Sequence, residues 1–159
     1  MKKKQFLFVL LAIIIGFSNC KKSKQPPITP VDNTNKNIQL LLGNWKLTAM
    51  FSERPHDWNG DGTQETDMYY FLDSCDRQYF YKFTADHKGV LSTNCVSGAI
   101  FTWSLESYGN KIRRVNQFNN VAYEDIVNIT TSELTVSYKR DAPFPERQPF
   151  TITAKFKKQ

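Results

Sequence analysis

The sequence predicts an all-β domain in which about eight antiparallel strands follow one another and close on themselves. Apolar and polar residues alternate in five segments that are rich in aromatic and β-branched side chains, which is the pattern of half-buried strands. Short turn-forming sequences separate these segments, so successive strands are expected to be antiparallel neighbours. Because an open sheet edge can pair with other chains, closure is the expected end of such a meander.

The strands are placed by this alternation. The five alternating segments are Trp45–Phe51, Tyr79–Phe83, Phe101–Leu105, Leu134–Tyr138 and Phe150–Phe156. Weaker strands are expected at Gly89–Cys95, Lys111–Asn116 and Tyr123–Ile129, and a short helix over Asn37–Leu42 is expected to lead into the first strand. Turn-forming residues lie between the strands at 86–89, 107–110, 119–120 and 131–133.

The apolar face of each alternating strand defines a predicted interior, because successive side chains of a strand point to opposite faces. The inward side chains are Trp45, Leu47, Tyr81, Phe83, Phe101, Trp103, Val136, Ile152 and Phe156. All of them except Leu47 are candidates to line a ligand cavity. The alternative is that the same rings fill the barrel, since eight strands enclose a space that side chains can fill.

The first 19 residues have the order of a secretory signal peptide. Three lysines precede an apolar run from Phe6 to Phe17, and the run of about 12 residues is shorter than the roughly 18–20 that a membrane-spanning helix needs. The segment that ends at Cys20 resembles the lipobox of bacterial lipoproteins, in which the cysteine is lipidated and begins the mature chain. The alternative is a signal peptide cut elsewhere, with Cys20 an ordinary thiol.

Residues 20–37 are expected to form an extended tether. They contain Pro26, Pro27 and Pro30 among polar side chains, so they bury too little apolar surface to offset the entropy of ordering. The predicted organisation is therefore a signal peptide over 1–19, a lipidated cysteine and tether over 20–37, and a barrel domain over 38–159.

The basic charge of the chain belongs to its N-terminal part. Of 21 lysine and arginine residues seven precede Ile38, and of 15 acidic residues only Asp32 does, so the domain holds 14 of each. This balance argues against nucleic-acid binding, which needs basic residues concentrated on the fold. Lysines 21, 22 and 24 are expected to add attraction to anionic headgroups, about 1 kcal/mol each.

A set of residues along the domain resembles lipocalins. Gly43-Asn44-Trp45 is similar to the Gly-x-Trp opening of that family. The later residues are similar to the lipocalin-like domains of small bacterial lipoproteins: Asp57 to Gly62, Thr66-Asp67, Cys75-Asp76, Phe83, Gly89 and Cys95. The resemblance implies an eight-stranded up-and-down barrel with a basic residue from a late strand over Trp45, for which Lys155 is the expected candidate.

Cys75 and Cys95 remain as a pair once Cys20 is assigned to lipid. An even pair in an oxidising compartment predicts a disulfide. His56 and His87 lie in predicted loops without an acidic partner in triad-like order, and no cysteine or histidine spacing typical of a metal site occurs. We therefore expect a protein that is not an enzyme and requires no cofactor.

The loop that begins at Asp57 resembles a calcium-binding loop. Asp57, Asn59 and Asp61 occupy ligand positions one, three and five, Thr63 and Glu65 occupy positions seven and nine, and Gly62 lies at position six. Position twelve is Met68 instead of glutamate. The alternative is an Asx- and Gly-rich turn that needs positive φ at Gly60 or Gly62.

Two functions follow as expectations. The first is a carrier of a small hydrophobic ligand, and the alternative is a module that binds a protein or glycan of the cell envelope through loops such as Asp57–Asp67 and the proline-rich loop Arg140–Pro149. Lys21 directly after Cys20 resembles lipoproteins of the outer membrane that face the periplasm. The membrane, reached through the lipid anchor, is therefore an expected partner in both cases.

Overall fold

The computed structural model describes residues 30–93, 95–141 and 148–159, with only the backbone for residues 96 and 97. The predicted fold class is confirmed: these residues form an all-β, closed antiparallel barrel of eight strands with a short N-terminal helix. The helix α1 spans Thr34–Leu41. The strands are β1 Gly43–His56, β2 Glu65–Asp67, β3 Phe80–Phe83, β4 Lys88–Thr93, β5 Val96–Glu106, β6 Lys111–Asn116, β7 Val121–Ile129, β8 Glu133–Arg140 and β9 Phe150–Lys158.

The barrel is closed by β1, which pairs with β3 on one side and with β9 on the other. Between β3 and β9 every strand pairs with its neighbour in the chain, which gives the expected up-and-down meander. The short strand β2 is added to the far end of β1 and was not predicted, because three residues are too few for a visible alternation. Two 3₁₀ helices, Tyr69–Phe71 and Asp76–Gln78, complete the connection from β2 to β3.

The helix α1 begins at Thr34, three residues before the predicted start at Asn37. The carboxylate of Asp32 accepts a hydrogen bond from the Thr34 amide at 2.9 Å, which satisfies one of the free amides of the first turn. Asn37 is buried, and its side-chain amide donates to the carbonyl of Gly109 at 2.9 Å. Residues 34–37, which the sequence assigned to the tether, are therefore ordered by contact with the barrel.

All nine predicted inward side chains are buried, at 3% relative exposure or less. Most of them belong to one apolar core that also includes Leu41, Ile112 and Leu134, while Ile152 lies in a second cluster with Met68 and Phe150. Gly89 permits this packing, because a Cβ at that position would lie 2.3 Å from the Phe101 ring. No helix in the described residues is long and apolar enough to span a membrane.

One end of the barrel, which we call the closed end, is covered by α1. Trp45 Nε1 donates to the carbonyl of Leu41 at 2.7 Å, and the amide of Asn33 donates to the carbonyl of Tyr108 at 2.9 Å. Gly109 has φ of +84°, and a Cβ there would lie 2.5 Å from the backbone nitrogen of Thr34. A glycine at this turn therefore lets the helix approach the barrel. The opposite end, where β1 finishes and β3 begins, we call the open end.

Candidate functional site

The wall of the barrel is split between β7 and β8 at the open end. The β7–β8 ladder runs from Ile129 and Leu134 to the pair Asp125 and Ser137. Residues 121–124 of β7 pair with β6, and residues 138–140 of β8 pair with β9, so in the described residues these two strand ends face each other without a ladder. The interior of the barrel is therefore approached from the side at this point.

A pocket of about 570 Å³ lies at this split, and we call it the β7–β8 cleft. Its volume lies within the range of about 300–1,000 Å³ that is usual for small-molecule sites. It is lined by Tyr79, Tyr81, Lys111, Arg114, residues 121–125, Tyr138 and Lys139. The phenol rings and Val121 give it apolar surface, while the polar groups come from β6, β7 and β8.

A buried ion pair belongs to the lining of the cleft. Arg114 Nη2 lies 2.6 Å from Oε1 of Glu124, and the two side chains are only 14% and 3% exposed. The hydroxyl of Tyr81 donates to the same Oε1 atom at 2.7 Å. The guanidinium of Arg114 also stacks over the Tyr81 ring at 5.0 Å and over the Phe101 ring at 5.4 Å from the ring centres. Arg114 and Tyr81 are thus held together by Glu124.

Two polar atoms of this network have no hydrogen-bond partner among the described residues. They are Oε2 of Glu124 and Nε of Arg114, and both are buried. A buried polar atom that makes no hydrogen bond costs about 1–3 kcal/mol, because it has lost the hydrogen bonds of water. Natural proteins contain few buried polar atoms without hydrogen bonds, so these two atoms indicate a functional role.

The phenols around the ion pair are held in the neutral form. Burial raises the pKa of Tyr81 well above its usual value of 10.0, and the negative charge of Glu124 raises it further. Burial also raises the pKa of Tyr79, and it raises the pKa of Tyr138 to about 12. Burial alone would lower the pKa of Arg114, but the oxygens of Tyr81 and Glu124 outweigh it and the net shift is upward. At neutral pH the cleft therefore presents neutral hydroxyl groups and a charged guanidinium.

The charges that line the cleft are paired with one another or with neighbours. Besides Arg114 and Glu124, Lys111 Nζ lies 3.0 Å from Oδ1 of Asp125. Lys139 Nζ lies 3.7 Å from Oε2 of Glu53. The cleft therefore offers hydrogen-bonding groups without an unbalanced charge.

A smaller pocket of about 150 Å³ adjoins the cleft. It shares Arg114, Val121 and Ala122 with the cleft, and Phe101 contributes to its wall. The side chain of Arg114 therefore lines both spaces.

The eight side chains predicted to line a ligand cavity are all buried. Tyr81 lines the cleft and Phe101 the smaller pocket, whereas Trp45, Phe83, Trp103, Val136, Ile152 and Phe156 lie in the two apolar clusters. Ring contacts such as Phe83–Trp103, with centres 5.5 Å apart, occupy part of the interior. The assignment of all eight to a ligand cavity stays a prediction.

Arg114, Glu124, Tyr79 and Tyr138 are not among the site residues that the sequence predicted. A signal was present for the first two, since Arg114 alternates with Ile112 in β6 and Glu124 alternates with Ile126 in β7. Opposite charges at inward positions of two successive strands indicate a buried pair. In the ladder Ile112 faces Glu124 and Arg114 faces Ala122, so the two charged residues are diagonal neighbours.

The predicted disulfide is present. Cys75 and Cys95 are bonded, with their Cα atoms 5.6 Å apart and a sequence separation of 20. The bond joins the 3₁₀ helix before β3 to the turn between β4 and β5. It therefore fixes the segment that carries Tyr79 against the open end of the barrel.

The calcium-like loop has an Asx-turn geometry. The carboxylate of Asp57 accepts hydrogen bonds from the amides of Gly60, Asp61 and Gly62 at 2.7–3.1 Å. The amide of Thr63 and then the side chain of Asn59 lower the pKa of Asp61. Gly60 and Gly62 have φ of +78° and +89°, as a plain turn requires.

Glu65, the ninth position of that loop, lies in β2, where its Oε2 atom is buried and has no partner among the described residues. Within residues 30–93, 95–141 and 148–159 no three His, Cys, Asp or Glu side chains are grouped so that they could hold a metal ion. Calcium binding by Asp57, Asn59, Asp61, Thr63 and Glu65 stays a prediction.

The residue over the Trp45 ring is Lys158 and not Lys155. Lys158 Nζ lies 5.0 Å from the ring centre, whereas Lys155 Nζ lies 5.5 Å from the centre of the Phe51 ring. The physical reason is the period of two: Lys158 continues the inward series of Ala154 and Phe156, and Lys155 points outward. The expectation for Lys155 was wrong.

Several expectations fall outside the described residues. Cys20, the signal peptide and the tether up to residue 29 lie there, and so do residues 142–147 of the proline-rich loop. Of that loop, the carbonyls of Gln148 and Pro149 accept hydrogen bonds from Arg54, each at 3.1 Å.

One solved structure similar to this chain is that of a lipocalin-like protein from Bacteroides uniformis ATCC 8492. The identity is 17%, the match covers 76% of this chain and 99% of that one, and the TM-score is 0.41. No protein-family model matches the sequence, and no curated protein matches it. The closed ladder of this chain itself establishes its fold, which is the eight-stranded up-and-down barrel that the resemblance to lipocalins implied.

Proposed function

We propose that this protein is a membrane-anchored envelope lipoprotein whose barrel binds a small, uncharged and largely apolar ligand in the β7–β8 cleft. The observation that carries the binding proposal is the split in the barrel wall beside the buried Arg114–Glu124 pair, one oxygen of which has no partner. A lipocalin-like barrel is a scaffold of the ligand-binding type, and the cleft is where this chain offers access to its interior.

The lining of the cleft favours a neutral ligand. Its lysines and acids are in ion pairs, so a charged ligand would enter without a counter-charge and would have to give up its hydration. The rings of Tyr79, Tyr81 and Tyr138 supply apolar surface with hydroxyl groups at the edge. A hydrogen-bond donor on the ligand would complete the coordination of Glu124 Oε2.

The probe for this proposal is N-phenyl-1-naphthylamine, an uncharged apolar amine with one N–H donor and fluorescence that rises on leaving water. We expect saturable binding of one molecule per chain. The matched anionic probe, anilinonaphthalene sulfonate, has the same ring skeleton with a sulfonate and should bind at least about tenfold more weakly, a difference of about 1.4 kcal/mol. Equal binding of both probes, or none, would contradict the proposal.

The location of the site is tested by filling the cleft. Ala122→Trp places a large ring in the lining and should abolish probe binding. Val127→Trp is the matched control, because residue 127 lies on the same strand with 61% exposure and does not line the cleft. If both variants bind the probe like the wild type, the ligand lies elsewhere.

The anchoring part of the proposal is supported by the order of lysines, apolar run and Cys20. Lys21 supports the outer membrane, facing the periplasm, as the destination. Metabolic labelling with a palmitate analogue should mark the wild type and not Cys20→Ala. Equal labelling of both would show that the lipid is attached elsewhere.

A second candidate is a module that binds a protein or glycan of the envelope. It is favoured by exposed apolar side chains that do not line the cleft, since Phe118 and Val127 are 73% and 61% exposed. Probe binding separates the two candidates, because a module that acts through these side chains does not need the cleft. Failure of the probe to bind would favour the module.

A further inference from the structure

The balanced charge of the domain includes a local group of lysines on the barrel wall. Four lysines lie on the outward face of neighbouring strands: Lys46 of β1, Lys82 of β3, and Lys155 and Lys157 of β9. All four are exposed, and we call this group the basic face. Acidic residues lie at both ends of the barrel, with Asp57, Asp61, Asp73 and Asp76 at the open end and Asp86, Glu106 and Glu133 at the closed end.

The lysines of the basic face are close neighbours. In the β1–β9 ladder Lys46 lies directly opposite Lys157. Lys46 also lies opposite Phe80 and Asn44 opposite Lys82, which makes Lys46 and Lys82 diagonal neighbours, with Cα atoms about 7–8 Å apart in a regular ladder. Like charges directly opposite one another destabilise a sheet unless something compensates for them.

Little within the described part of the chain compensates these charges. Lys46, Lys82 and Lys157 make no ion pair within 4.0 Å there. Glu133 lies across the β8–β9 ladder from Lys157, and Lys155 lies over the Phe51 ring. The lysines elsewhere on the wall differ, since Lys88, Lys111 and Lys139 each have a carboxylate within 4.0 Å.

The basic face lies at the closed end, where the chain enters the domain. The C-terminal turn of α1 accepts hydrogen bonds from Trp45 and Lys158. These two residues are the neighbours in sequence of Lys46 and Lys157. The predicted tether from Cys20 to Asn33 has about 14 residues and spans at most about 50 Å when fully extended. A lipid anchor at Cys20 would therefore keep this face within reach of the membrane surface.

We propose that the basic face of Lys46, Lys82, Lys155 and Lys157 docks on the anionic phospholipid surface to which the chain is anchored. The proposal rests on the anchoring of the proposed function, because the tether is what keeps the barrel near the lipid. Phosphate groups of the headgroups supply the counter-charge that the lysines lack, and Lys21, Lys22 and Lys24 add to the same attraction. The residues that line the β7–β8 cleft are not part of this face.

The test uses the mature chain from Cys20 with Cys20→Ser, so that no lipid contributes, and measures co-sedimentation with vesicles. Binding should need phosphatidylglycerol mixed into phosphatidylcholine and should weaken with salt. The triple variant Lys46→Gln, Lys82→Gln, Lys157→Gln should bind on the order of 100-fold more weakly, from about fivefold per lysine. The lysines are exposed, and thermal melts will show whether the barrel is retained.

The matched control removes three positive charges elsewhere on the wall: Lys111→Gln, Arg113→Gln and Lys139→Gln. It should weaken binding less than about tenfold, since these residues lie outside the basic face. The proposal would be overturned if the two triple variants lost vesicle binding equally. It would also be overturned if wild-type binding did not depend on phosphatidylglycerol. Preferential binding of soluble polyglutamate would overturn it too, and would indicate an acidic protein partner instead.

If the triple variant does not fold, the single substitution Lys157→Gln tests the same proposal. We expect it to weaken vesicle binding about fivefold. The vesicle assay is independent of lipidation. If the wild type does not bind the vesicles but palmitate labelling depends on Cys20, only the proposed docking face is refuted. If Cys20→Ala is still labelled, the proposed anchor at Cys20 is refuted, and the result of the vesicle assay is not affected.

Discussion

Lys158 Nζ lies 5.0 Å from the centre of the Trp45 ring and donates a hydrogen bond to the carbonyl of Leu40 at 3.0 Å. Trp45 in turn donates to the carbonyl of Leu41 at 2.7 Å. One lysine of the last strand therefore joins the first strand to the C-terminal turn of α1, whose final carbonyls have no partner within the helix. The closed end of the barrel is held by these two side chains.

Lys158→Ala should destabilise the domain by about 1–3 kcal/mol, from the loss of a cation–π contact and of a charged hydrogen bond. Urea denaturation measures the change. Lys157→Ala is the matched control on the neighbouring, outward position and should change the stability by less than about 0.5 kcal/mol. Equal effects of the two substitutions would contradict the role of Lys158.

The raised pKa of Tyr138, about 12 against the usual 10.0, predicts a loss of stability in alkali. Because the folded state holds the proton more tightly than the unfolded state, the contribution is complete below about pH 10 and disappears as the pH rises to about 12. Tyr138→Phe should lose less stability over this interval than the wild type. Identical pH profiles from urea denaturation would show that Tyr138 titrates as an exposed phenol.

Removal of the disulfide should cost about 3 kcal/mol, the loop-closure value for a separation of 20 residues. The double variant Cys75→Ser, Cys95→Ser should match the wild type under reducing conditions, and reduction should not affect the variant further. The midpoint of urea unfolding checks both statements. A wild type whose midpoint does not move on reduction would contradict them.

Calcium binding at Asp57, Asn59 and Asp61 predicts weak affinity, about 10⁻⁴–10⁻³ M, as in extracellular modules. Stability should then rise by about 1.4 kcal/mol at ten times the dissociation constant. Asp57→Asn keeps side-chain oxygen for the turn and removes the charge, so it should abolish the calcium effect and leave most of the turn intact. A thermal melt that millimolar calcium does not change would favour the plain Asx turn.

The period-two pattern was sufficient to predict five strands of the barrel and its buried face, while the other three strands were predicted from weaker signals. It placed Trp45, Phe83 and Trp103 in the interior because each lies on the apolar side of a strong alternation. The same rule applied to β9 would have selected Lys158 in place of Lys155. The disulfide could be predicted because only two cysteines remain after Cys20.

The cleft could not be predicted, because it depends on where a ladder ends. Nothing in the sequence shows that β7 and β8 cease to pair beyond Asp125 and Ser137, since both strands continue past these residues. The basic face could not be predicted from the sequence for a similar reason. Lys46, Lys82 and Lys157 are far apart in sequence, and only the strand register brings them together.

The most direct measurement is the mapping of N-phenyl-1-naphthylamine binding by backbone amide chemical shifts of the isotope-labelled chain that begins at Cys20. We expect the largest changes at residues 121–125 of β7 and at residues 138 and 139 of β8, with the side-chain signal of Arg114 Nε among them. Shifts concentrated on the outer wall around Lys46 and Phe80, or no shifts at saturating probe, would contradict ligand binding in the β7–β8 cleft.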